Sequence, residues 1–263
     1  MVKLNMFSLK NRIALVTGGT GHLGKAICEA LVKSNSIVYV ASREKNEAEK
    51  VIKIIKNEAS GKLFPIELDI SNESSIKKAL KQIKKEQGHI DILINNAAYG
   101  SDGDFNNKTE TEWSHGLDGT VNGVFRVCKQ VLPLMKQKKY GVIINIGSMY
   151  GIISPDLRIY DNEKHANSPE YGAGKAAIIQ FTKYLAVNYA KNGIRVNSIS
   201  PGAFPNKEEQ KNKKFIKKLK SKIPLERLGK PEDLMGVIIF LASEDSSYVT
   251  GQNILVDGGW SIW

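Results

Sequence analysis

Ile13-Ala14-Leu15-Val16-Thr17-Gly18-Gly19-Thr20-Gly21-His22-Leu23-Gly24 passes from an apolar, β-branched run through a glycine turn into a helical pattern that begins near Lys25. Strand, glycine turn and helix in that order aim free backbone N–H groups and the positive end of a helix dipole at one spot. That geometry cradles a pyrophosphate. A glycine string alone is a weak signal, and an ordinary βα turn is its alternative. Its place at the head of a regular series of elements decides between them.

Further apolar runs follow at Ile37 to Val40, Leu63 to Leu68, Ile90 to Ile94, Val142 to Ile146, Ile194 to Ile199 and Asn253 to Val256. Helix-period stretches lie between the runs: Leu23 to Lys33, Glu44 to Glu58, Ser74 to Gln87, Trp113 to Lys138 and Tyr171 to Lys191. Strands apolar on both faces and joined by helices describe a parallel sheet covered on each side. The expected fold is α/β: a doubly wound parallel sheet of about seven strands, a Rossmann fold. No Pro/Gly/Ser-rich linker splits the series, so residues 1–263 read as one domain with its crevice at the carboxyl ends of the strands.

The 263 residues are 41% hydrophobic and 25% charged, as in an ordinary globular chain. Lys3, Asn5, Ser8, Lys10 and Arg12 interrupt the N-terminal apolar residues, and no run approaches the ~20 apolar residues of a membrane span. Cys28 and Cys128 have no partners at ligand spacing, which argues against a disulfide framework or a metal site. A cytoplasmic protein without membrane partners is expected. The formal charge of +11 raises nucleic-acid binding, but only six of the 38 basic residues are Arg and the lysines are spread along most helices. No reading module accompanies them, so no nucleic-acid partner is expected.

After the second strand, a nicotinamide site with a free ribose hydroxyl usually places an acidic residue, whereas this chain reads Val40-Ala41-Ser42-Arg43. Arg43 can pair with a 2′-phosphate, favouring NADP(H) over NAD(H). The alternative is that Arg43 is solvated and NAD(H) is accepted.

Ser168-Pro169-Glu170-Tyr171-Gly172-Ala173-Gly174-Lys175 starts a helix that Ser168 can cap and whose first position suits Pro169. Tyr171 and Lys175 are then neighbours at i and i+4. A phenol titrates near 10, too high for acid/base work at neutral pH unless a neighbouring ammonium and an oxidised nicotinamide lower it. The same Lys can hold the nicotinamide ribose. Ser148 ends the fifth strand, where its hydroxyl can meet a substrate oxygen. Taken alone, Tyr171 and Lys175 suit a surface pair; joined to the glycine loop and Ser148, they suit an active site.

Together these residues resemble the short-chain dehydrogenase/reductase family in its compact branch, over essentially the whole chain. The resemblance implies Ser148, Tyr171 and Lys175 as catalytic residues. It implies a cofactor site along Thr17, Gly18, Thr20, Gly21, His22, Leu23 and Gly24, then Ser42 and Arg43. Asp69 of Leu68-Asp69-Ile70 matches an adenine contact, with Ile70 beside it in the cofactor site, and Asn95-Asn96-Ala97-Ala98 matches a structural motif whose backbone follows the cofactor. Pro201-Gly202 matches the substrate-side turn, and Leu225 to Gly259 the closing helix and strand. It also implies a homotetramer or homodimer formed through the two long helices.

Three departures stand out. His22 replaces a compact-branch Gly, and the Thr17-Gly18-x-x-Gly21-x-x-Gly24 spacing resembles the larger sugar-nucleotide branch. Thr120 stands where an Asn usually supports the proton relay, a role not carried over to Asn122; the Thr120 hydroxyl can hold a relay water. Finally, Tyr171 lies 23 residues after Ser148, farther than in many compact members. The extra loop, about 152–167, holds Arg158, Tyr160, Lys164 and His165 and should lie over the substrate. Similar loops occur in relatives acting on sugars, in gluconate-type reductases and in surface-glycan or flagellin-sugar synthesis. Arg158 is a candidate for a substrate phosphate or carboxylate, or else it pairs with Asp156 or Asp161. A Lys-rich segment, about 203–222, matches a lid. Its charges can draw in an anionic substrate, though a solvated helix burying Phe215, Ile216 and Leu219 explains most of them.

The expectation is an NAD(P)-dependent oxidoreductase interconverting a carbonyl and a secondary alcohol on a small sugar-like or sugar-phosphate substrate. The alternatives are a 3-oxoacyl-(acyl-carrier-protein) reductase and, from another class, a non-catalytic dinucleotide sensor.

Overall fold

The first apolar run forms β1 (Ile13–Thr17), every residue of which is buried. It is the centre of a parallel sheet with β2 (Ile37–Ser42), β3 (Lys62–Glu67), β4 (Ile92–Asn95), β5 (Gly141–Ile146), β6 (Ile194–Pro201) and β7 (Asn253–Val256). The order is β3-β2-β1-β4-β5-β6-β7, the seven-stranded sheet expected from the sequence. The computed structural model describes residues 6–55, 61–100, 105–161 and 166–263.

Helices cover both faces because both faces are apolar. On one side, α1 (His22–Lys33), α2 (Lys45–Ile55) and α8 (Met235–Ala242) pack Ile27, Leu31, Ile52 and Ile238 against Val16, Val38 and Ile144. On the other, α3 (Glu73–Gln87), α5 (Gly123–Lys138) and α6 (Pro169–Tyr189) bring Ile76, Val127 and Ile178 to Leu15, Leu93 and Ile143. A third, smaller cluster sits above the carboxyl edge, where Met149, Tyr150 and Ile159 meet Leu219 and Ile223 around α7 (Lys213–Lys220).

Three local expectations need correction. The stretch read as one helix from Trp113 is α4 (Glu110–Leu117), a π-helical turn (Asp118–Asn122) and α5 in succession. Thr109 and Glu112 form a capping box that starts α4 earlier than the apolar pattern does. Finally, α6 begins with Pro169 as expected, but the Ser168 side chain makes no capping bond.

Candidate active site

The sheet order reverses direction at β1 and β4, whose Thr17 and Asn95 lie side by side at the carboxyl edge. A crevice opens at such a switch point. Gly18, at φ +61°, turns the chain there, and a side chain on it would come within 2.9 Å of the Ala97 Cα. At Gly24 a Cβ would stand 2.1 Å from the Gly18 carbonyl, so the start of α1 lies directly against the loop. That carbonyl accepts bonds from the Asn96 amide at 2.9 Å and the Gly21 N–H at 3.1 Å.

Two cavities follow this edge. One, of about 290 Å³, is walled by Gly18, Thr20 and Gly21, by Ser42 and Arg43, by Asp69 and Ile70, and by Asn96 to Tyr99. The second, of about 310 Å³, continues from Leu23, Asn96 and Ala98 to Ser148, Tyr171, Lys175, Pro201 and Gly202. Asn96 and Ala98 belong to both, which makes one groove the length of the edge. The glycine cradle at one end and the hydroxyl cluster at the other fit a dinucleotide laid along it.

Most residues expected at a cofactor site therefore line the groove. Thr17, His22 and Gly24 do not. Thr17 is buried, and its hydroxyl donates to the Ile94 carbonyl and accepts from the Asn96 and Ala97 N–H groups. It shapes the edge from beneath. Exposed His22 opens α1. One oxygen of Asp69 holds the N–H and hydroxyl of Ser71, fixing the carboxylate at the groove wall.

Ser148, Tyr171 and Lys175 come together at the substrate end. Ser148 follows β5, and its hydroxyl oxygen accepts from the Tyr150 N–H at 3.1 Å. The Lys175 amine donates to the Ile146 carbonyl at 2.7 Å and lies 5.5 Å from the centre of the Tyr171 ring. Burial lowers Lys175 from 10.5 to about 8. Burial pushes the Tyr171 phenol above its ordinary value, opposed by the Ser148 hydrogen bond. From the protein's own groups, the phenol is thus not made acidic by the neighbouring ammonium, as the i, i+4 spacing had suggested.

Beneath the site, the Asn95 amide donates to Asn145 at 2.8 Å, and the Asn145 amide to the Thr182 hydroxyl at 2.9 Å. This buried chain ties β4 and β5 to α6, with Asn95 steadying the sheet and Asn145 and Thr182 as unforeseen members. Thr120 is buried in the π-helical turn, donates to the Gly116 carbonyl at 2.5 Å, and would meet any side chain placed at Gly174.

The far wall of the substrate cavity consists of Tyr150, Tyr160, Asn167, Phe204, Glu209 and Phe215. The loop expected over the substrate supplies Tyr160 and Asn167, and the expected lid segment supplies Phe204, Glu209 and Phe215; Tyr150 lies outside both. Tyr150 arrives by tertiary packing, which no local pattern records. Arg158 does not reach the cavity; its guanidinium binds both carboxylate oxygens of Asp156, at 2.8 and 2.9 Å, with its side chain 84% exposed. Lys164 and His165 lie outside the described residues. Cys28 and Cys128 are buried free thiols. Among the described residues, no helix is long and apolar enough to cross a membrane.

Residues 20–261 match a family model described as Enoyl-(Acyl carrier protein) reductase. The 3-oxoacyl-(acyl-carrier-protein) reductase FabG of Thermotoga maritima is 34% identical over 255 residues, spanning 97% of this chain and 99% of that protein. A short-chain type dehydrogenase/reductase from Mycobacterium marinum superposes with a TM-score of 0.90 at 32% identity, over 99% of each chain. A gluconate 5-dehydrogenase from Burkholderia cenocepacia, in complex with NADP and tartrate, does so with a TM-score of 0.87 at 26% identity, over 98% of each chain.

Proposed function

The chain belongs to the short-chain dehydrogenase/reductase family, oxidoreductases acting on CH–OH and carbonyl groups, and from that premise we propose that Ser148, Tyr171 and Lys175 carry the reaction on a sugar-like substrate with NADP(H). The single groove running from Gly18 to Tyr171 supports this reading most directly. Bound nicotinamide supplies or takes the hydride. Ser148 holds the carbonyl oxygen, and Tyr171 donates its phenolic proton to that oxygen during reduction, or accepts one during oxidation. Lys175 holds a positive charge beside the phenol and is placed to bind ribose hydroxyls. Arg43, exposed at the edge of the first cavity, is the residue that favours a 2′-phosphate.

Tyr150, Tyr160 and Asn167 offer hydroxyl and amide groups that suit a polyhydroxylated ligand. A second reading, a 3-oxoacyl-thioester reductase, draws on Phe204, Phe215 and Leu219 in the same wall. We assign residues 1–263 to a single catalytic and cofactor-binding domain in the cytoplasm. Assembly as a homotetramer or homodimer is supported by the exposed Phe125 on α5 and Tyr184 and Val187 on α6. An absorbance screen decides the substrate class: NADPH and NADH are each tested with 5-keto-D-gluconate, an uncharged keto-sugar, a sugar phosphate and an acetoacetyl thioester. Turnover of a keto-sugar or keto-acid with NADPH is expected. Turnover of the thioester alone replaces the first reading with the second, and turnover of none favours a dinucleotide sensor.

A further inference from the structure

The extra loop and the Lys-rich segment, whose charges the catalytic reading leaves without a role, meet each other over the substrate cavity. Tyr160 comes from the loop, and Phe215 and Leu219 from α7; all three line the cavity. The Tyr160 and Phe215 rings pack with centroids 5.4 Å apart. The Tyr160 hydroxyl also lies 3.3 Å from that of Tyr150 and accepts from the Asn167 amide at 3.4 Å.

Outside this contact, the charges are paired across the same seam. Asp161 lies 3.1 Å from both Lys214 and Lys218, and Asp156 lies 2.8 Å from Lys222. Lys218 also donates to the Arg158 carbonyl at 3.3 Å. Both carboxylates are held below their ordinary range by these cations: Asp161 by Lys214 and Lys218, and Asp156 by Arg158 and then Lys222. A single exposed ion pair contributes little, but several cations converging on two carboxylates of one short loop form a network.

We propose that Asp156 and Asp161 are positioning residues for the substrate pocket, clasping α7 to the 152–161 loop so that Tyr160 and Phe215 form one wall opposite Ser148 and Tyr171. The inference rests on the site proposed above. Lys214, Lys218 and Lys222 accordingly serve the clasp rather than the recruitment of an anionic substrate. Because the paired side chains are partly exposed, salt screens them, and the wall loosens as ionic strength rises.

The test uses the full chain with Asp161→Asn and the conservative Asp161→Glu. Hydrogen–deuterium exchange needs no substrate: amides of residues 213–220 should exchange faster in Asp161→Asn, and in the wild type at roughly 0.5 M salt, than in the wild type at low salt. Asp161→Glu should restore protection. With 5-keto-D-gluconate and acetoacetyl-N-acetylcysteamine as probes, KM for whichever the wild type reduces should rise roughly three- to tenfold in Asp161→Asn. Its kcat and NADPH affinity should hold. Unchanged exchange in Asp161→Asn overturns the clasp, as does an unchanged KM with the same salt dependence as the wild type. A wild type inactive on both probes counts against the catalytic reading instead, and the exchange result then judges the clasp alone.

Discussion

The Lys175 amine lies over the Tyr171 ring rather than on its hydroxyl, 5.5 Å from the ring centre, and donates one hydrogen bond to the Ile146 carbonyl at 2.7 Å. Spacing on α6 makes the two residues neighbours, and burial sets their proton affinities. Burial penalises the ammonium and the phenolate alike, so Lys175 falls to about 8 and Tyr171 rises. Burial thus works against the charged form of both groups. Added positive charge along the groove would favour the phenolate and further discourage the ammonium.

Lys175 therefore costs stability. A lysine displaced from 10.5 to about 8 carries roughly 3 kcal/mol against its charged form at neutral pH. Between those values the unfolded chain holds a proton that the folded chain lacks, so stability rises with pH through that window, and below about 8 the cost stands in full. Lys175→Met should be more stable than the wild type at pH 7 by about 2 kcal/mol, after about 1 kcal/mol is lost with the bond to Ile146. Its Tm should rise by roughly 5 °C, and the gain should shrink through pH 8 to 10.5. A Tm at or below that of the wild type at pH 7 would contradict the burial argument.

Tyr171→Phe removes the proton and little else. The ring stays in its partly buried setting beside Met149 and Tyr150, so fold and NADPH binding should be retained. Turnover should fall by at least ~10²-fold if the phenol is the general acid and base. Stopped-flow measurement of NADPH oxidation checks this. A variant within a few-fold of the wild type would remove Tyr171 from the chemistry.

The parallel sheet was legible because strands buried on both faces are apolar over most of their length, as in Ile92–Asn95 and Gly141–Ile146 with one Asn each. The interruption between α4 and α5 was not. An inserted residue leaves the apolar pattern of both flanks intact, and the turn depends on long-range contact: a Cβ on Gly119 would stand 2.0 Å from the Tyr99 carbonyl. Tyr171, Lys175 and Ser148 could be placed by helix spacing and strand end. Tyr150 could not, since it reaches the cavity only through tertiary packing, and the choice between a substrate anion, Asp156 and Asp161 as the partner of Arg158 is made only once the loop is folded.

Gly24→Ala tests the cradle. The new Cβ would stand 2.1 Å from a carbonyl that already accepts from Asn96 and Gly21, so α1 must move away or those bonds must break. Overpacking of this kind costs about 1–3 kcal/mol. A lower Tm is expected, with NADPH affinity by fluorescence titration reduced about tenfold or more. Wild-type affinity would show that the loop's close contact with α1 does not shape the cofactor site.

Thr120→Ala separates two roles for the residue at the usual Asn position. Its hydroxyl proton is held inside the helix by Gly116, which makes the group a brace for the π-helical turn. The expected result is a loss of about 1 kcal/mol in stability with kcat unchanged within about twofold. A large fall in kcat at constant Tm would restore a proton-relay role.

Arg43→Ala addresses the cofactor. Arg43 stands just past the carboxyl end of β2 beside Ser42, whose hydroxyl lies 3.5 Å from that of Thr20, and all three residues line the same cavity as the glycine loop. A charge-assisted bond from Arg43 to a 2′-phosphate contributes about 1.5–3 kcal/mol, which corresponds to a roughly tenfold to hundredfold change in KM for NADPH. NADH lacks that phosphate and should be used equally well by both proteins. The ratio of kcat/KM for the two cofactors isolates the effect, because any general disturbance of the groove lowers both. An unchanged ratio, or a wild type that already prefers NADH, would assign Arg43 to solvent.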